Sequence, residues 1–513
     1  MKKFNKDKYL KQLKIKRFYR KYERYFYIGI PCLLVGILGI YFAYSKFTTT
    51  DSVEVIRTTV GDFISGDVVI NNYVNGELVV DAPAMNTGYK VDKIVCDNGA
   101  VGEWSTKDWG PTITNVTKRN KCNIYFIDNE KIKFGNTEIP LDYYGRCPEM
   151  NTDGTVTVTE AESSYGYLCK AKDAYGDSYY FRGNVTNNYV KFGKWSKDTP
   201  DVVKGFYSAT STSYKEYSTV KECQSASSYN VNCTVISKAN KDMYWRIIRI
   251  NGNNTIRVIY DGTSAHANGE SSSDRQIGTS VFNDGYRRDE HVYLSSYYNA
   301  HVGYMYGKIP ASTYATTHAN TNNSTIKTYL DTWYENNIKG TSNEQYVKDN
   351  LFCNDRSLAS TNTGTGAGTS STSYNWAIWH PSKINLKCPQ QNDAFTVSDT
   401  TNGNGALTYG VGLVTTDEIV LAGGWSSANS NYYLYSGQNY WTMSPLGFYD
   451  YYARECNVSS GGNAAVTNDR GPVTGGGRDS VMNRYGTRPV LNLSSEILKN
   501  GNGTVSDPYH LAS

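Results

Sequence analysis

The sequence predicts a single N-terminal transmembrane helix, followed by a small all-β module and a larger α+β domain. Three observations favour this class: an uncharged apolar run near the N-terminus, alternating apolar residues between paired cysteines, and strand-like runs around one clear helical pattern. The expected order is a basic tail (1–24), a transmembrane helix (25–44), a β spacer module (45–130), a connecting region with an insertion (131–243) and a final domain (244–513).

Residues 25–44 carry no charge and are mostly aliphatic or aromatic. Twenty helical residues extend about 30 Å, which matches the hydrocarbon core of a bilayer. Eleven basic residues and two acids precede this run, so the positive-inside rule places the N-terminus in the cytoplasm and the C-terminal part outside the cell. A cleaved signal peptide is the alternative, because Ala43-Tyr44-Ser45 is a suitable small-residue site. The length of the apolar run favours an uncleaved membrane anchor.

Charge and cysteine content fit an extracellular location. Beyond the basic tail the chain has 41 basic and 46 acidic residues, which argues against nucleic acid as a partner. No Cys-x-x-Cys motif occurs, so disulfides are favoured over a zinc site. Pairing neighbours gives the candidates Cys96–Cys122, Cys147–Cys169, Cys223–Cys233 and Cys353–Cys388 and leaves Cys456 over, although sequence alone does not fix connectivity.

The spacer module is predicted from strand-like runs on both sides of turn residues. Asn75-Gly76 separates two apolar runs, as in a β-hairpin, and the run 89–96 is followed by Trp104, Trp109 and a closing run at 122–126. A disulfide between the cysteines of these runs closes a loop of about 25 residues and contributes roughly 3 kcal/mol. The block resembles the short immunoglobulin-like spacer modules of surface proteins from Gram-positive gut bacteria.

The rest of the chain shows a strong hairpin and two helices. Two β-rich runs in Trp245–Tyr260 flank Asn251-Gly252, whereas Lys194–Met243 is polar and is expected to be an insertion or long loop with its own disulfide. Apolar residues at 3.6-residue spacing predict a helix over Thr325–Asn337 capped by Ser324. A shorter helix is expected after Thr415, which forms a capping box with Glu418.

No catalytic constellation is recognisable. The six histidines are scattered, no His-Glu-x-x-His motif occurs, and no acidic loop matches an EF-hand. The glycines at 364–368 follow no clear strand and open no apolar helix, so a loop is favoured over a phosphate site. We therefore predict no catalytic residue, no metal ligand and no cofactor.

Residues 446–485 are the most informative part of the sequence for function. They lie between the compact motif Tyr440–Pro445 and the strand-like Thr487–Leu493, and they are rich in Tyr, Asn, Ser and Gly, with few large aliphatic residues. Such a segment is expected to form a surface of tyrosines and short hydrogen-bonding side chains, as in binding loops. The chain has 45 Tyr residues in all; an Asn- and Tyr-rich β protein from an A+T-rich genome is the alternative interpretation of that composition.

The motifs at 245–252, 412–424, 440–445 and 486–493 resemble a domain of unknown function in gut-bacterial surface proteins. The frame from Tyr440–Pro445 to Arg488-Pro489-Val490 is, more distantly, similar to C-type-lectin-like domains of the formylglycine-generating-enzyme and retroelement-diversified kinds. In the diversified kind, a variable ligand-binding stretch ends just before Arg-Pro-Val. Calcium occurs in lectin-like folds, but no ligand set is identifiable here.

The resemblance implies a surface-displayed binding or adhesion protein whose ligand is an extracellular protein or glycan. The candidate ligand-binding residues are Tyr449, Tyr451, Tyr452, Arg454, Asn457, Asn463, Arg470, Arg478, Asn483 and Tyr485. A structural cell-envelope component without a soluble ligand is the first alternative. An envelope enzyme of formylglycine-generating-enzyme-like fold is the second, which the missing paired catalytic cysteines disfavour.

Overall fold

The computed structural model describes two compact units that are mostly β-sheet with few helices. It describes residues 14, 16, 17, 68–84, 88–105, 108–117, 119–135, 137–142, 145–211, 214–283, 298–375, 384–425, 428–449, 452–460 and 480–512, and the backbone alone of 286–287 and 292–293. The first unit comprises 1–85 and 91–127, and the second comprises 86–90 and 128–513. The expected transmembrane helix, 25–44, lies outside these ranges. Within them, no helix has the length and apolar character needed to cross a bilayer.

The first unit is built on a four-stranded sheet in the order β2–β1–β6–β3, with a β4–β5 hairpin beside it in sequence. Its strands are β1 Val68–Val74, β2 Glu77–Val79, β3 Tyr89–Cys96, β4 Val101–Ser105, β5 Gly110–Thr114 and β6 Asn120–Asp128. The predicted Asn75-Gly76 turn joins β1 to β2, and both residues have positive φ, +48° and +90°, as the tight hairpin turn requires. The expected aromatic filling is present: Trp104 packs edge-on against Trp109 and Phe126.

The second unit contains the remaining strands and four short α-helices among the described residues. The strands are β7 Lys131–Phe134, β8 Thr137–Pro140, β9 Glu149–Met150, β10 Val156–Thr157, β11 Gly166–Asp173, β12 Gly176–Gly183, β13 Tyr189–Lys194, β14 Val202–Phe206, β15 Tyr214–Tyr217, β16 Val231–Ile236, β17 Asp242–Ile250, β18 Ile256–Gly262, β19 Gly278–Val281, β20 Tyr286–Arg287, β21 Val292–Tyr293, β22 Met305–Tyr306, β23 Asn322–Asn323, β24 Phe352–Cys353, β25 Thr372–Ser373, β26 Ala394–Phe395, β27 Val411–Gly412, β28 Tyr440–Tyr449, β29 Tyr452–Val458, β30 Arg484–Thr487 and β31 Val490–Leu493. The helices are α1 Val220–Ser225, α2 Tyr314–Thr317, α3 Thr325–Asn337 and α4 Thr416–Ala422, with 3₁₀ turns at Ser273–Arg275, Asn299–His301, Glu344–Tyr346, Gln391–Asp393 and Ser495–Leu498.

A seven-stranded sheet forms the centre of the second unit, in the order β11–β12–β17–β18–β31–β27, with β13 also paired to β17. The predicted β17–β18 hairpin is present, but its connection is five residues long, and Asn254 rather than Gly252 adopts positive φ, +63°. A Cβ at Gly252 would lie 2.6 Å from the Tyr175 carbonyl carbon. The glycine is therefore needed for the close approach of a neighbouring turn and not for the hairpin turn itself.

Residues 131–243, expected as a connecting region, belong to the same compact unit as the final domain. Strands β11, β12 and β13 lie in the central sheet, and the segment expected as an insertion or long loop forms a three-stranded sheet, β15–β14–β16, with α1 beside it. The Cys223–Cys233 disulfide ties α1 to β16. These strands are only four to six residues long, so they gave no clear strand pattern within a mostly polar segment.

A second large sheet has the order β19–β30–β28–β25, with β29 paired to β28. For the described residues 446–449, 452–460 and 480–485, it corrects the expectation that the segment 446–485 is a surface with little core. Leu446, Phe448, Ala453 and Val458 are at most 1% exposed. Thr442 is accommodated inside this hairpin because its hydroxyl donates to the Cys456 carbonyl at 2.9 Å.

The local predictions for helices and disulfides are confirmed. Helix α3 has the predicted bounds and its Ser324 cap, and α4 begins with the predicted capping box. All four predicted disulfides are formed, and Cys456 is buried outside them. The core includes Trp245, Trp441 and Val490, which are 0% exposed, and Trp333, which is 5% exposed.

The core of the second unit holds a cluster of arginines around one carboxylate. Asp261 Oδ1 accepts from Arg275 Nε at 2.8 Å and from Arg488 Nη2 at 2.7 Å, and all three side chains are fully buried. The Asp261 carboxylate also interacts electrostatically with the Arg246 guanidinium. The Arg246 guanidinium stacks 3.7 Å from the Tyr189 ring centroid. Burial lowers the pKa of Arg246 and of Arg488.

Candidate ligand-binding groove

A groove of about 420 Å³ opens on the second unit between the three-stranded sheet and the β28–β30 region. We name it the tyrosine groove. Its described lining residues are Tyr214, Lys215, Tyr229, Gln276, Thr279, Gln438, Asn439, Ser460, Asn483, Arg484, Tyr485 and Gly486. They come from six separate stretches of the chain, several of which are brought together by the pairing of β30 with β19 and β28.

One wall comes from the three-stranded sheet and contributes two partly exposed tyrosines. Tyr214 lies on β15, and the Lys204 ammonium sits 4.3 Å from its ring centroid. Burial, and then the nearby Glu216 carboxylate, raise the pKa of Tyr214, so its hydroxyl stays protonated and can donate. Tyr229 precedes β16 with φ +58° and packs edge-on against Tyr207, with ring centroids 5.5 Å apart.

The opposite wall is formed by β30 and the residue before it. The Tyr485 ring packs on the buried Trp441, with centroids 4.7 Å apart, which fixes the ring's position. Asn483 Nδ2 donates to the Tyr485 hydroxyl at 3.2 Å. The exposed Arg484 donates to the Thr279 carbonyl at 3.0 Å and therefore stays at the rim of the groove.

Gln276 connects the two walls. Its side-chain amide donates to the Tyr214 hydroxyl, and its backbone carbonyl accepts from Lys238 Nζ at 3.3 Å. Gly486 lies so close that a Cβ there would meet Gln276 Oε1. The glycine is required by this approach, because any side chain would displace the glutamine and separate the walls.

The groove combines aromatic faces with amide groups, which suits a polar ligand with flat apolar patches. Tyrosine offers an apolar ring for stacking and a hydroxyl for hydrogen bonding, and the amides of Gln438, Asn439 and Asn483 offer donors and acceptors. Among the described lining residues the charged ones are Lys215 and Arg484, both basic and exposed. The rim is therefore positively charged and favours neutral or acidic ligands over basic ones.

The structure distributes the sequence-predicted contact residues over different places. Asn483 and Tyr485 lie in the groove. Tyr449, Tyr452 and Arg454 lie together at the opposite end of the β28–β29 hairpin, where the Arg454 guanidinium is 5.2 Å from the Tyr449 ring centroid. Asn457 is 4% exposed and pairs opposite Trp441 within the sheet. The remaining candidates lie outside the described residues: Tyr451, Asn463, Arg470 and Arg478.

Sequence reasoning missed most of the groove. Tyr214, Lys215 and Tyr229 come from the segment expected to be an insertion, and Gln276 follows a 3₁₀ turn that had no visible signal. The density of tyrosine between Tyr207 and Tyr229, around the Cys223–Cys233 disulfide, was the available signal.

Within the described part of the chain, no group of three or more His, Cys, Asp or Glu side chains is arranged to hold a metal ion. Comparisons with protein-family models, with curated proteins and with solved structures find no match to this chain.

Proposed function

We propose that this chain is a membrane-anchored, cell-surface binding or adhesion protein that captures an extracellular glycan in the tyrosine groove. In this proposal residues 25–44 are the anchor and the N-terminus is cytoplasmic. The first unit is an immunoglobulin-like spacer, and the second unit is a C-type-lectin-like binding domain of the kind that the gut-bacterial motifs suggest. The protein then belongs to the bacterial envelope and acts by binding.

The observation that carries the proposal is the composition of the groove. Saccharide rings present apolar C–H faces and a periphery of hydroxyls, so they match tyrosine rings flanked by amides. Tyr485 is held by the buried Trp441, so little side-chain entropy is lost when a ligand stacks on it. The basic rim narrows the expected class to neutral or acidic glycans rather than basic ones.

The test is a glycan array probed with the full-length protein in lipid nanodiscs, followed by titration of the best saccharide. Tyr229→Asn removes the ring, and asparagine tolerates the positive φ of this position. Since an aromatic contact contributes about 1 kcal/mol, we expect a loss of affinity of roughly fivefold to tenfold. Lys215→Ala with Arg484→Ala should weaken acidic glycans more than neutral ones.

Matched controls use residues of the same type away from the groove. Tyr165→Ala removes a tyrosine that is 41% exposed, and Lys131→Ala with Lys499→Ala removes two exposed charges; both should bind like the wild type. A folded protein that binds no saccharide, or whose binding survives Tyr229→Asn, would refute the groove as the site. The first of those results would favour a structural envelope component.

A further inference from the structure

A second cavity, of about 360 Å³, lies elsewhere on the second unit and shares no lining residue with the tyrosine groove. Its described lining includes Arg249 from the central sheet, Asp355 after β24, Lys387 beside the Cys353–Cys388 disulfide, and Asp417 and Glu418 of α4. Leu351, Leu386 and Pro389 supply apolar surface. The volume is at the lower end of the range for small-molecule sites, roughly 300–1,000 Å³.

The inner wall is a buried network of two arginines and two acids. Glu418 Oε1 lies 3.1 Å from Arg249 Nε and 2.5 Å from Arg257 Nε, and Arg249 Nη1 donates to Asp173 Oδ2 at 2.6 Å. All four side chains are at most 5% exposed. Burial acts to raise the pKa of Glu418, but Arg257 and Arg249 outweigh it and hold that pKa below its usual value. The network is therefore charged and nearly neutral in sum.

One nitrogen of this network has no protein partner. Arg249 uses Nε and Nη1 for hydrogen bonds with Glu418, Asp173 and Ser178, whereas Nη2 has no acceptor among the residues that the structure describes. The residue is 4% exposed and lines the cavity. Nη2 is not among the buried nitrogens and oxygens that lack a partner, so it is accessible from the cavity. Because it makes no hydrogen bond with the described residues, it can donate one to a ligand that enters there.

Groups of opposite charge lie around the same cavity. Asp355 is 9% exposed, and its carboxylate accepts from the Ser357 amide at 2.9 Å and from Asn375 Nδ2 at 3.0 Å. Burial raises the pKa of Asp355 despite those hydrogen bonds, so a cation placed beside it would be favourable. The Asp417 carboxylate, a second acid in the lining, accepts a hydrogen bond from the Asn385 backbone amide at 2.9 Å. Lys387 adds an ammonium at the more exposed side.

We propose that this cavity binds a small zwitterion, namely a free amino acid or a short peptide. The ligand carboxylate would accept hydrogen bonds from Arg249 Nη2, and its ammonium would lie against the Asp355 carboxylate. The apolar residues of the lining would contact its side chain. A simple anion would place no cation beside Asp355, and a simple cation would place no acceptor on Arg249 Nη2, so a ligand carrying both charges suits the two groups best.

The test is isothermal titration calorimetry of the full-length protein in nanodiscs against free L-amino acids and dipeptides. The N-acetyl and C-amide derivatives of each binder are titrated alongside. Charge-assisted hydrogen bonds contribute about 1.5–3 kcal/mol, so blocking either end should lower affinity by about tenfold or more. Asp355→Asn, which keeps the shape of the side chain, should lower affinity for the free amino acid by a similar factor. It should not change affinity for the N-acetyl derivative.

Two further variants test whether the amino acid binds in this cavity and not elsewhere on the protein. Asp198→Asn, a change of the same chemistry outside the cavity, and Tyr229→Asn in the tyrosine groove should both leave the titration unchanged. Asp355→Asn should show the same hydrogen exchange as the wild type in β17 and β18 without ligand; if it does not, Lys387→Met takes its place and should lower affinity for the free amino acid, with Lys348→Met as its control. Absence of binding by every amino acid and dipeptide would overturn the proposal, and so would affinities that do not change when both ends are blocked.

Discussion

Asp261→Asn removes the single carboxylate at the centre of the arginine cluster while it keeps the size of the side chain. Asp261 Oδ1 accepts from Arg275 and Arg488, and each of the three side chains is fully buried. The substitution leaves one oxygen as an acceptor but removes the negative charge. Two guanidinium groups then remain buried without a counter-ion.

The expected cost follows from the burial of all three groups. Removing one partner of a buried ion pair destabilises a protein by about 3–5 kcal/mol, because the remaining charge cannot reach water. Two arginines lose their partner here, which increases the cost, whereas the amide oxygen and the Tyr440 ring, 4.9 Å from the Arg488 guanidinium, reduce it. We therefore expect a loss of about 4 kcal/mol in the free energy of unfolding of the second unit.

Hydrogen exchange of peptides covering β17 and β18 measures this loss within the second unit alone. These strands lie at the centre of the seven-stranded sheet, so their slowest amides exchange only on global opening of the unit. The disulfides stay oxidised throughout. Whole-chain melting would mix the transitions of the two units and is less suitable.

Asp242→Asn is the matched control. Asp242 pairs with Lys191 and Lys194 at 3.8 and 3.5 Å, but its side chain is 33% exposed, and exposed ion pairs contribute at most about 1 kcal/mol. If Asp261→Asn lowers the free energy of unfolding by no more than this control, the Asp261 carboxylate does not stabilise the arginine cluster. The aromatic faces and backbone carbonyls around the arginines would then be sufficient.

Three further predictions concern local features. Burial acts to lower the pKa of His266, but Asp274 and Glu270 outweigh burial and raise this pKa above 6.5. The stability that the charged His266 contributes is therefore present below pH 6.5 and is lost as pH rises through the folded pKa. His266→Gln should abolish this pH-dependent change, measured by hydrogen exchange. Ser324→Ala removes the cap of α3 and should cost about 1 kcal/mol, measured by exchange of the first helical turn, whereas Thr332→Ala on the exposed face should cost little. Cys223→Ala with Cys233→Ala should destabilise the three-stranded sheet by roughly 2–3 kcal/mol and weaken binding in the tyrosine groove, and unchanged affinity would contradict the role of that wall.

Features that depend on neighbouring residues were predictable from the sequence. The Ser324 cap, the Thr415–Glu418 capping box and the Asn75-Gly76 turn each place their partners within a few residues, so the pattern contains the whole interaction. The disulfides followed neighbour pairing because each joins cysteines only 10 to 35 residues apart.

The tyrosine groove was less predictable because its parts are distant in sequence. Tyr214 and Tyr485 face one groove although about half of the chain separates them, and only the strand pairing brings them together. The high tyrosine content was a poor guide to the binding surface, because many tyrosines are core residues. Among these, Tyr189, Tyr433 and Tyr440 pack against buried guanidinium groups. A tyrosine contributes to binding only where the fold leaves a face of its ring open.

The three-stranded sheet with its own disulfide has a consequence for how recognition can diversify. One continuous segment, 201–237, encodes this sheet, which supplies one wall of the groove. The opposite wall belongs to the second large sheet, where the Tyr485 ring packs on Trp441. Exchanging that segment alone, as a cassette closed by Cys223–Cys233, would alter which ligands fit without rebuilding the large sheets. Grafting is therefore the practical route to new specificities on this scaffold.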